Sequence, residues 1–448
     1  MSKRRFKKIS DVPVQVQIEK MDHDGRGIAT VDGKITFVTG ALPGETVMMR
    51  YTEQKGRYAE GHMTEVLVAS PDRVVAKCPV YGACGGCVLQ HLSPEKQIAY
   101  KQTVLAEQLL HFGKVQPEAW LPPVQADPWA YRLKARLGVR HVSKKGGVLI
   151  GFRENNGRFL MDMKSCEILP PSVGPHIGEW REVFGTLDAA AEIPQIEVAV
   201  DDHRTALIIR HLVPLSEHDL QVLAQFGEQR GLWIYLQPKG PDTVHLLWPK
   251  VREPMSYRLD SHNVEIQFEP GDFTQVNMGV NRKMVDRALE LLQLQQSDRV
   301  LDLFCGLGNF SLPIARQVGY VVGVEGDEPM VVRALANARH NDIHHAEFFA
   351  ANLFEITGKE AFLQKGFNKI LLDPPRAGAE AAVRILGALP IERIVYVSCN
   401  PATLARDVGI LVHEHGYRFE QAGVLDMFPH TSHVESIALL TKSLTKRK

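Results

Sequence analysis

The sequence of 448 residues lacks any apolar run approaching the roughly 18 to 20 residues that cross a bilayer, so a helical membrane anchor is excluded. It lacks net charge as well: 52 basic and 52 acidic residues cancel, which excludes a uniformly basic protein that coats nucleic acid but leaves room for a local basic patch. Cysteine is scarce. The six, at positions 78, 84, 87, 166, 305 and 399, are too few for a disulfide scaffold in a chain of this size, so they are ligands, nucleophiles or packing. There is no low-complexity segment and no repeat with a period of roughly 20 to 50 residues. The start, MSKRRFKKIS, is basic but has no apolar segment behind it, so neither a secretory signal nor a lipidation site is expected. The expected compartment is the cytoplasm. Nothing implies a protein partner, and a monomer is expected. What remains, 44% hydrophobic and 23% charged residues, is the composition of an ordinary globular protein of two or three domains.

Residues 10–72 alternate apolar and polar positions in VQVQIEK, KITFV, ETVMMRY and HMTEVLV, with the turn signals VDGK and ALPGE between them. Five or so short strands at this spacing predict a small β-barrel. In DGRGIATVDGKITFVTGALPGE and the closing SPDRV, the stretch resembles a TRAM domain, an OB-like RNA-binding module. The alternation by itself fits a purely structural barrel equally well. Residues 73–267 form a second region, predicted α+β, which opens with the cysteines and continues through the helix-like SPEKQIAYKQTVLAEQLLHF, with Ser93 as a candidate cap. From Tyr131 to Lys164 it holds nine basic residues (Arg132, Lys134, Arg136, Arg140, Lys144, Lys145, Arg153, Arg158 and Lys164) against Glu154 and Asp162, with Tyr131, Phe152 and Phe159 interleaved. Such strands suit a groove for phosphates and stacked bases, the bland alternative being a solvated face. In residues 268–448, the apolar runs RVLDLF, YVVGVE, KILLDPP and RIVYVS alternate with helical stretches such as EPMVVRALANARHN. This is the α/β rhythm of a doubly wound, mostly parallel sheet.

The third region carries the chemistry. Val300 to Phe310 reads as a buried strand ending in an acidic turn and a glycine-rich loop, and glycines there let backbone approach a ligand at the carboxyl end of a strand. The next strand ends in Glu325-Gly326-Asp327, where a carboxylate can accept hydrogen bonds from a ribose diol. The loop lacks both the GxGxxG that cradles a pyrophosphate and the GKS/T of a nucleoside triphosphatase, so a cofactor with a ribose and no phosphates fits best. The pairing resembles motifs I and II of the S-adenosylmethionine-dependent methyltransferases. Further on, Asp373-Pro374-Pro375-Arg376 follows the fourth strand. Amino-methylating relatives place an aromatic residue after such a turn, and Arg376 stands there instead. Cys399 sits at the lip of the following strand, where a thiolate is a nucleophile and an embedded thiol is inert packing.

Taken together, DPPRAG, SCNP and the terminal HTSHVESIALL resemble the RNA uridine-5-methyltransferases in order and spacing. With the TRAM-like start and the cysteines, nearly all of the chain is similar to the bacterial members that act on 23S ribosomal RNA. The resemblance implies a Rossmann-like methyltransferase domain using S-adenosyl-L-methionine, Cys399 as nucleophile, Glu435 as proton-abstracting base, and Gln275, Phe304, Asn309, Glu325, Asn352 and Asp373 around the cofactor. His433, two residues before Glu435, is the competing base. RNA cytosine-5-methyltransferases carry a catalytic cysteine in their DPP-like region as well, and Asp373-Pro374-Pro375 has none, so uridine is preferred. Two other readings stand beside this one: a relative acting on transfer RNA or another 23S site, and a non-catalytic RNA-binding redox sensor. The spacing Cys78-x5-Cys84-x2-Cys87, with Cys166 downstream, suits either a four-cysteine zinc site or an iron-sulfur cluster. The resemblance implies a 4Fe-4S cluster on these four positions, making the central region an iron-sulfur domain.

Overall fold

The alternation in residues 10–72 becomes six strands in the computed structural model, which describes residues 11–155 and 157–442; the basic start at 1–10 lies outside the described residues. The strands are β1 (Val14–Gln17), β2 (Lys20–Met21), β3 (Gly27–Val31), β4 (Lys34–Thr39), β5 (Thr46–Gln54) and β6 (Tyr58–Val68), in the order β1-β5-β6-β4-β3-β2. Only β4 and β6 pair in parallel. One side-chain parity turns inward, so Val16, Ile18, Ala29, Val38, Val47 and Met49 form a small core. The arginine of SPDRV ties the end of this sheet down: Arg73 Nε and Nη2 donate to the Glu45 carboxylate at 2.5 and 2.7 Å, and Nη2 also donates to the Gly40 carbonyl at 2.8 Å. Burial opposes the charge on Glu45, but the Arg73 bonds win and hold its carboxyl below the usual range.

The chain divides into two units. The first comprises Met1–Lys101, Arg153–Phe159 and Pro429–His433, and the second comprises Gln102–Phe152, Leu160–Phe428 and Val434–Lys448. In the second unit a two-residue strand, β7 (Ala119–Trp120), precedes a mixed sheet of β8 (Lys134–Val142), β9 (Gly147–Gly151), β10 (Gln195–Val200), β11 (Thr205–Arg210), β12 (Leu232–Gln237) and β13 (His245–Trp248). Its order is β13-β12-β11-β10-β8-β9. Helix Glu217–Arg230 packs beside it and starts at a capping box, Ser216 with Asp219. A hairpin, β14 (Met255–Leu259) and β15 (Val264–Phe268), leads into the third region.

There the four apolar runs are β16 (Arg299–Leu303), β17 (Tyr320–Glu325), β19 (Lys369–Leu372) and β20 (Arg393–Ser398), with β18 (Ala346–Ala350), β21 (Arg418–Leu425) and β22 (Glu435–Thr441) completing the set. The sheet runs β18-β17-β16-β19-β20-β22-β21-β7. The strands from β18 to β20 are parallel and mostly apolar because helices cover both faces; β22 alone is antiparallel to its neighbours. Strand order reverses between β16 and β19, the place where open α/β sheets bind ligands.

A buried ion pair fixes the opening of β19. Lys369 Nζ stands 2.6 Å from Asp298 Oδ2 and donates to the Gln293 carbonyl at 2.6 Å, while Asn368 Nδ2 holds the other Asp298 oxygen at 2.7 Å. Removing the cation alone leaves an uncompensated buried carboxylate. Lys369→Met is therefore expected to cost about 3 kcal/mol and lower the melting temperature, and the double change Lys369→Met with Asp298→Leu to recover much of the loss, as read by thermal melts.

Candidate active site

Leu303 and Val324, near the ends of β16 and β17, stand opposite each other. The chain turns at once after β16, and the N–H groups of Phe304 and Cys305 both donate to the Val324 carbonyl, at 2.8 and 3.1 Å. Phe304 takes a left-handed φ of 64°, a costly conformation for a residue with a side chain, and Gly306 and Gly308 follow at 53° and 94°. Glu325 is fixed by the loop itself: Gly306 N–H donates to Oε2 at 3.1 Å, while Gly326 and Asp327 donate to Oε1 at 2.7 and 3.2 Å. Oε1 thus already accepts two bonds, and Oε2 keeps lone-pair capacity for a diol. Below it, fully buried Asp302 accepts from Ser311 Oγ at 2.5 Å on one oxygen, and its Oδ1 has no hydrogen-bond partner among the described residues. Burial pushes the Asp302 carboxyl up to about 8; the Ser311 bond opposes this and Asp373 adds to it. A glycine loop, a fixed diol acceptor and an orphaned carboxyl oxygen fit a ligand bearing a ribose and an amino group.

A second group gathers where β20 meets β22. Ser398, the last residue of β20, pairs with Ser436, and Ser436 Oγ donates to the Ser398 carbonyl at 3.2 Å. One step beyond that pair stand Cys399 and Glu435, so strand register brings thiol and carboxyl to adjacent positions. Parallel β19 delivers Asp373 to the same end, its N–H reaching the Leu303 carbonyl at 3.3 Å. Burial pushes the Cys399 thiol up to about 11, with the Glu435 and Asp373 carboxyls adding to the rise and the Arg376 guanidinium opposing it. Glu435, only 5% exposed, is pushed well above the carboxylate range by burial and then by Asp373, again against Arg376. Burial alone raises Asp373 to about 7. Burial therefore works against both the Cys399 thiolate and the Glu435 carboxylate in the resting protein. His433, by contrast, is exposed and belongs to the first unit.

The remaining cofactor candidates are placed differently. The Asn309 side chain is already committed: it exchanges hydrogen bonds with the Asn281 amide at 2.9 and 3.0 Å and accepts from Tyr257 Oη at 2.9 Å. Asn352 is exposed, and its Oδ1 turns the chain by accepting from Phe354 N–H at 3.1 Å. Gln275 is half-buried in the turn before helix Met278–Leu292, whose Asn281 holds Asn309. Sequence reasoning missed Tyr257, Asn281 and Ser311. Tyr257 and Asn281 sit in no motif and reach the loop only by folding, while Ser311 directly follows it but carries no signal of its contact with Asp302.

In the first unit, the loop of Cys78, Cys84 and Cys87 is laced to residues 153–155 by Gly85 N–H to Arg153 O at 2.9 Å and Asn155 N–H to Ala83 O at 2.8 Å. Cys84 is buried; burial raises its thiol, Gly86 N–H opposes by donating to Sγ at 3.4 Å, and Cys78 adds to the rise. Thiol donors with an amide aimed at sulfur fit an iron-sulfur cluster. Cys166 is buried in the second unit. Among the described residues, no three His, Cys, Asp or Glu side chains gather as they do around a single metal ion. The basic stretch is not one exposed surface. Arg153 to Phe159 belong to the first unit and the rest to the second. Lys134 in particular is not a surface cation: its ammonium donates to the Pro270 carbonyl at 2.8 Å and to the Asp272 carbonyl, and burial lowers it to about 8. Arg136 remains largely exposed beside Glu197.

This strand order, with a glycine loop after β16 and an acidic turn after β17, defines an S-adenosylmethionine-dependent methyltransferase. Comparison with known proteins narrows the class. The family described as tRNA (Uracil-5-)-methyltransferase matches residues 250–443, and the TRAM domain matches residues 13–64. The 23S rRNA (uracil(1939)-C(5))-methyltransferase RlmD of Alcanivorax borkumensis is 49% identical over 99% of this chain and 100% of its own length. The RlmD of Hahella chejuensis is 51% identical over the same shares. Among solved structures, the Pyrococcus abyssi tRNA (uracil-54, C5)-methyltransferase in complex with S-adenosyl-L-homocysteine shares the fold, with a TM-score of 0.72 at 24% identity over 96% of this chain and 100% of that one. The chain belongs to the RlmD family of RNA uracil-5-methyltransferases. No helix among the described residues is long and apolar enough to cross a membrane.

The electrostatics make a direct prediction for the free protein. Because Cys399 is held near 11, its alkylation by iodoacetamide, followed site by site by mass spectrometry, should be slow at pH 8 and climb toward pH 11. Asp373→Asn removes a negative neighbour and should speed the reaction at pH 8, while Arg376→Gln removes the opposing cation and should slow it.

Proposed function

We propose that the chain methylates carbon 5 of a uridine in 23S ribosomal RNA in the cytoplasm, and that the nucleotide is the uracil 1939 given in its relatives' names. The placement of Cys399 beside Glu435 at the end of the β20–β22 ladder, next to the cofactor loops, is the observation that supports this best. Carbon 5 of uracil is too weakly nucleophilic to take a methyl group unaided, so covalent activation is needed. S-adenosylmethionine, when bound, supplies the sulfonium-activated methyl group. Cys399, as thiolate, adds to carbon 6, forming the S–C6 bond and pushing the C5–C6 π pair into an enolate whose carbon 5 takes the methyl as the methyl–sulfonium bond breaks and its electron pair stays on sulfur as a neutral thioether. Glu435, as carboxylate, removes the proton from carbon 5. The electron pair left behind rebuilds the C5–C6 double bond as the S–C6 bond breaks, releasing the thiolate. Arg376 favours the charged form of both residues. Gln275, Phe304, Asn309, Glu325, Asn352 and Asp373 are assigned to the cofactor, with Glu325 on the ribose diol.

In this reading residues 10–72 and the exposed part of the basic stretch grip RNA, residues 73–267 carry a 4Fe-4S cluster on Cys78, Cys84, Cys87 and Cys166, and residues 268–448 hold the chemistry. The thiol donor set, its spacing and the Gly86 amide on Cys84 support the cluster.

Cys399→Ala is expected to abolish methylation while leaving S-adenosylmethionine binding within about twofold. A denaturation-resistant adduct with RNA containing 5-fluorouridine should form with the unaltered chain and not with this variant. Glu435→Gln should instead accumulate the methylated covalent adduct on normal RNA, because elimination waits for the proton; accumulation with His433→Ala and not with Glu435→Gln would move the base role to His433. Protein purified without oxygen should hold iron and acid-labile sulfide near four each per chain and lose both on Cys84→Ser, whereas stoichiometric zinc without sulfide would exclude the cluster.

A further inference from the structure

The Asp373–Ala379 turn carries Asp373 and Arg376 but has no regular structure of its own. What fixes it is one face of the helix Pro401–His413, which starts two residues after Cys399 with Asn400 as its N-cap. Asn400 Nδ2 donates to the Arg376 carbonyl at 2.9 Å, and the single Thr403 Oγ1 proton is shared between the same carbonyl at 3.3 Å and the Asn400 carbonyl at 3.1 Å. One turn on, Arg406 Nη2 donates to the Ala377 carbonyl at 3.0 Å. Asp407, fully buried, accepts the Ala379 N–H at 2.7 Å on the oxygen that also takes Tyr396 Oη at 2.6 Å, while Arg406 Nε holds its other oxygen at 2.8 Å. The spacing 400, 403 and 406/407 is that of a single helix face. Gly378 lets the turn lie against that face: with a φ of 77°, a Cβ there would meet Arg406 Nη2 at 2.6 Å and Asp407 Oδ2 at 2.8 Å.

We infer that this helix face is a clamp that sets the distance between the Asp373–Arg376 turn and Cys399, and that Thr403 and Asp407 are positioning residues for methyl transfer. The inference rests on the assignment of Cys399 as nucleophile. The clamp reaches both partners of the chemistry from one rigid element. Its first residue follows the nucleophile directly, Asp407 grips Tyr396 three residues before Cys399, and four links run to residues 376, 377 and 379 of the turn. Arg376 and Asp373 act on the Cys399 and Glu435 charges through space, so a shift of the turn changes the energies of both groups. A misplacement of about 1 Å costs on the order of a hundredfold in rate.

The test is the single-turnover rate of adduct formation with an RNA fragment containing 5-fluorouridine, at saturating RNA and S-adenosylmethionine, in the full chain and in Thr403→Val, Thr403→Ser and Asp407→Asn. RNA affinity, S-adenosylmethionine affinity and melting temperature are measured alongside. Thr403→Val removes only the hydroxyl and is expected to slow the adduct at least about tenfold with both affinities within twofold, and Thr403→Ser to restore the rate. Asp407→Asn should slow it at least as much. Rates within twofold of the unaltered chain in Thr403→Val and Asp407→Asn would overturn the clamp, as would losses mirrored in both affinities or a Ser variant as slow as the Val variant. If the unaltered chain forms no adduct, the nucleophile assignment fails and the clamp falls with it; a slow variant beside a fast unaltered chain supports both.

Discussion

Four ionisable acids, Asp302, Asp373, Glu435 and the Cys399 thiol, crowd the carboxyl edge of one buried sheet, and the cost of charging them together governs the site. Burial raises all four, charged Asp373 further raises each of the other three, and charged Glu435 further raises Cys399. Arg376 is the cation that opposes this for both Cys399 and Glu435. Such a corner resists gathering negative charge, and a positively charged ligand there would ease that cost. The same low dielectric that makes the resting thiol unreactive makes every nearby charge count for more than it does in water.

That concentration is a product of strand register. β16, β19 and β20 are parallel, so their ends arrive at one edge, and β22 enters antiparallel with its first residue at that edge. A one-residue slip of β22 against β20 would turn Glu435 to the opposite face of the sheet. The apolar side chains of β22, nearly all buried, forbid the slip, so the packing that stabilises the domain also aims the carboxyl.

What was legible in the sequence is what strands and short motifs announce locally. The runs ending at Leu303, Glu325, Leu372 and Ser398 are all strands, and each delivers its motif to the same edge because parallel strands share a direction. The barrel strands were legible from their period of two, and Arg73 in SPDRV acquired a reason only when its partner Glu45, 28 residues away, was seen. Long-range pairings left no trace to read. Lys134 looks like its basic neighbours along the chain, yet carbonyls of residues 270 and 272 claim its ammonium. Asn309 reads as a residue of the cofactor loop, but its hydrogen bonds to Tyr257 and Asn281 could not be read from the chain. The division of the basic stretch at residues 153 and 159 is likewise a fact of tertiary folding, invisible to charge counting.

The short β7 strand looks incidental, since only Ala119 and Trp120 are in register with Gln421 and Ala422. The backbone around it continues the contact: Glu118 N–H reaches the Phe419 carbonyl at 3.0 Å, Leu121 the Ala422 carbonyl at 2.7 Å and Val124 the Val424 carbonyl at 2.9 Å. A stretch of chain from well before the methyltransferase motifs thus covers the β21 edge of their sheet. A fragment cut to begin at residue 268 would keep every motif and still expose β21 as a long, unpaired apolar border, ready to recruit another copy of itself. A fragment that keeps this edge covered is therefore bounded by its sheet rather than by its chemistry, and it has to begin before residue 118.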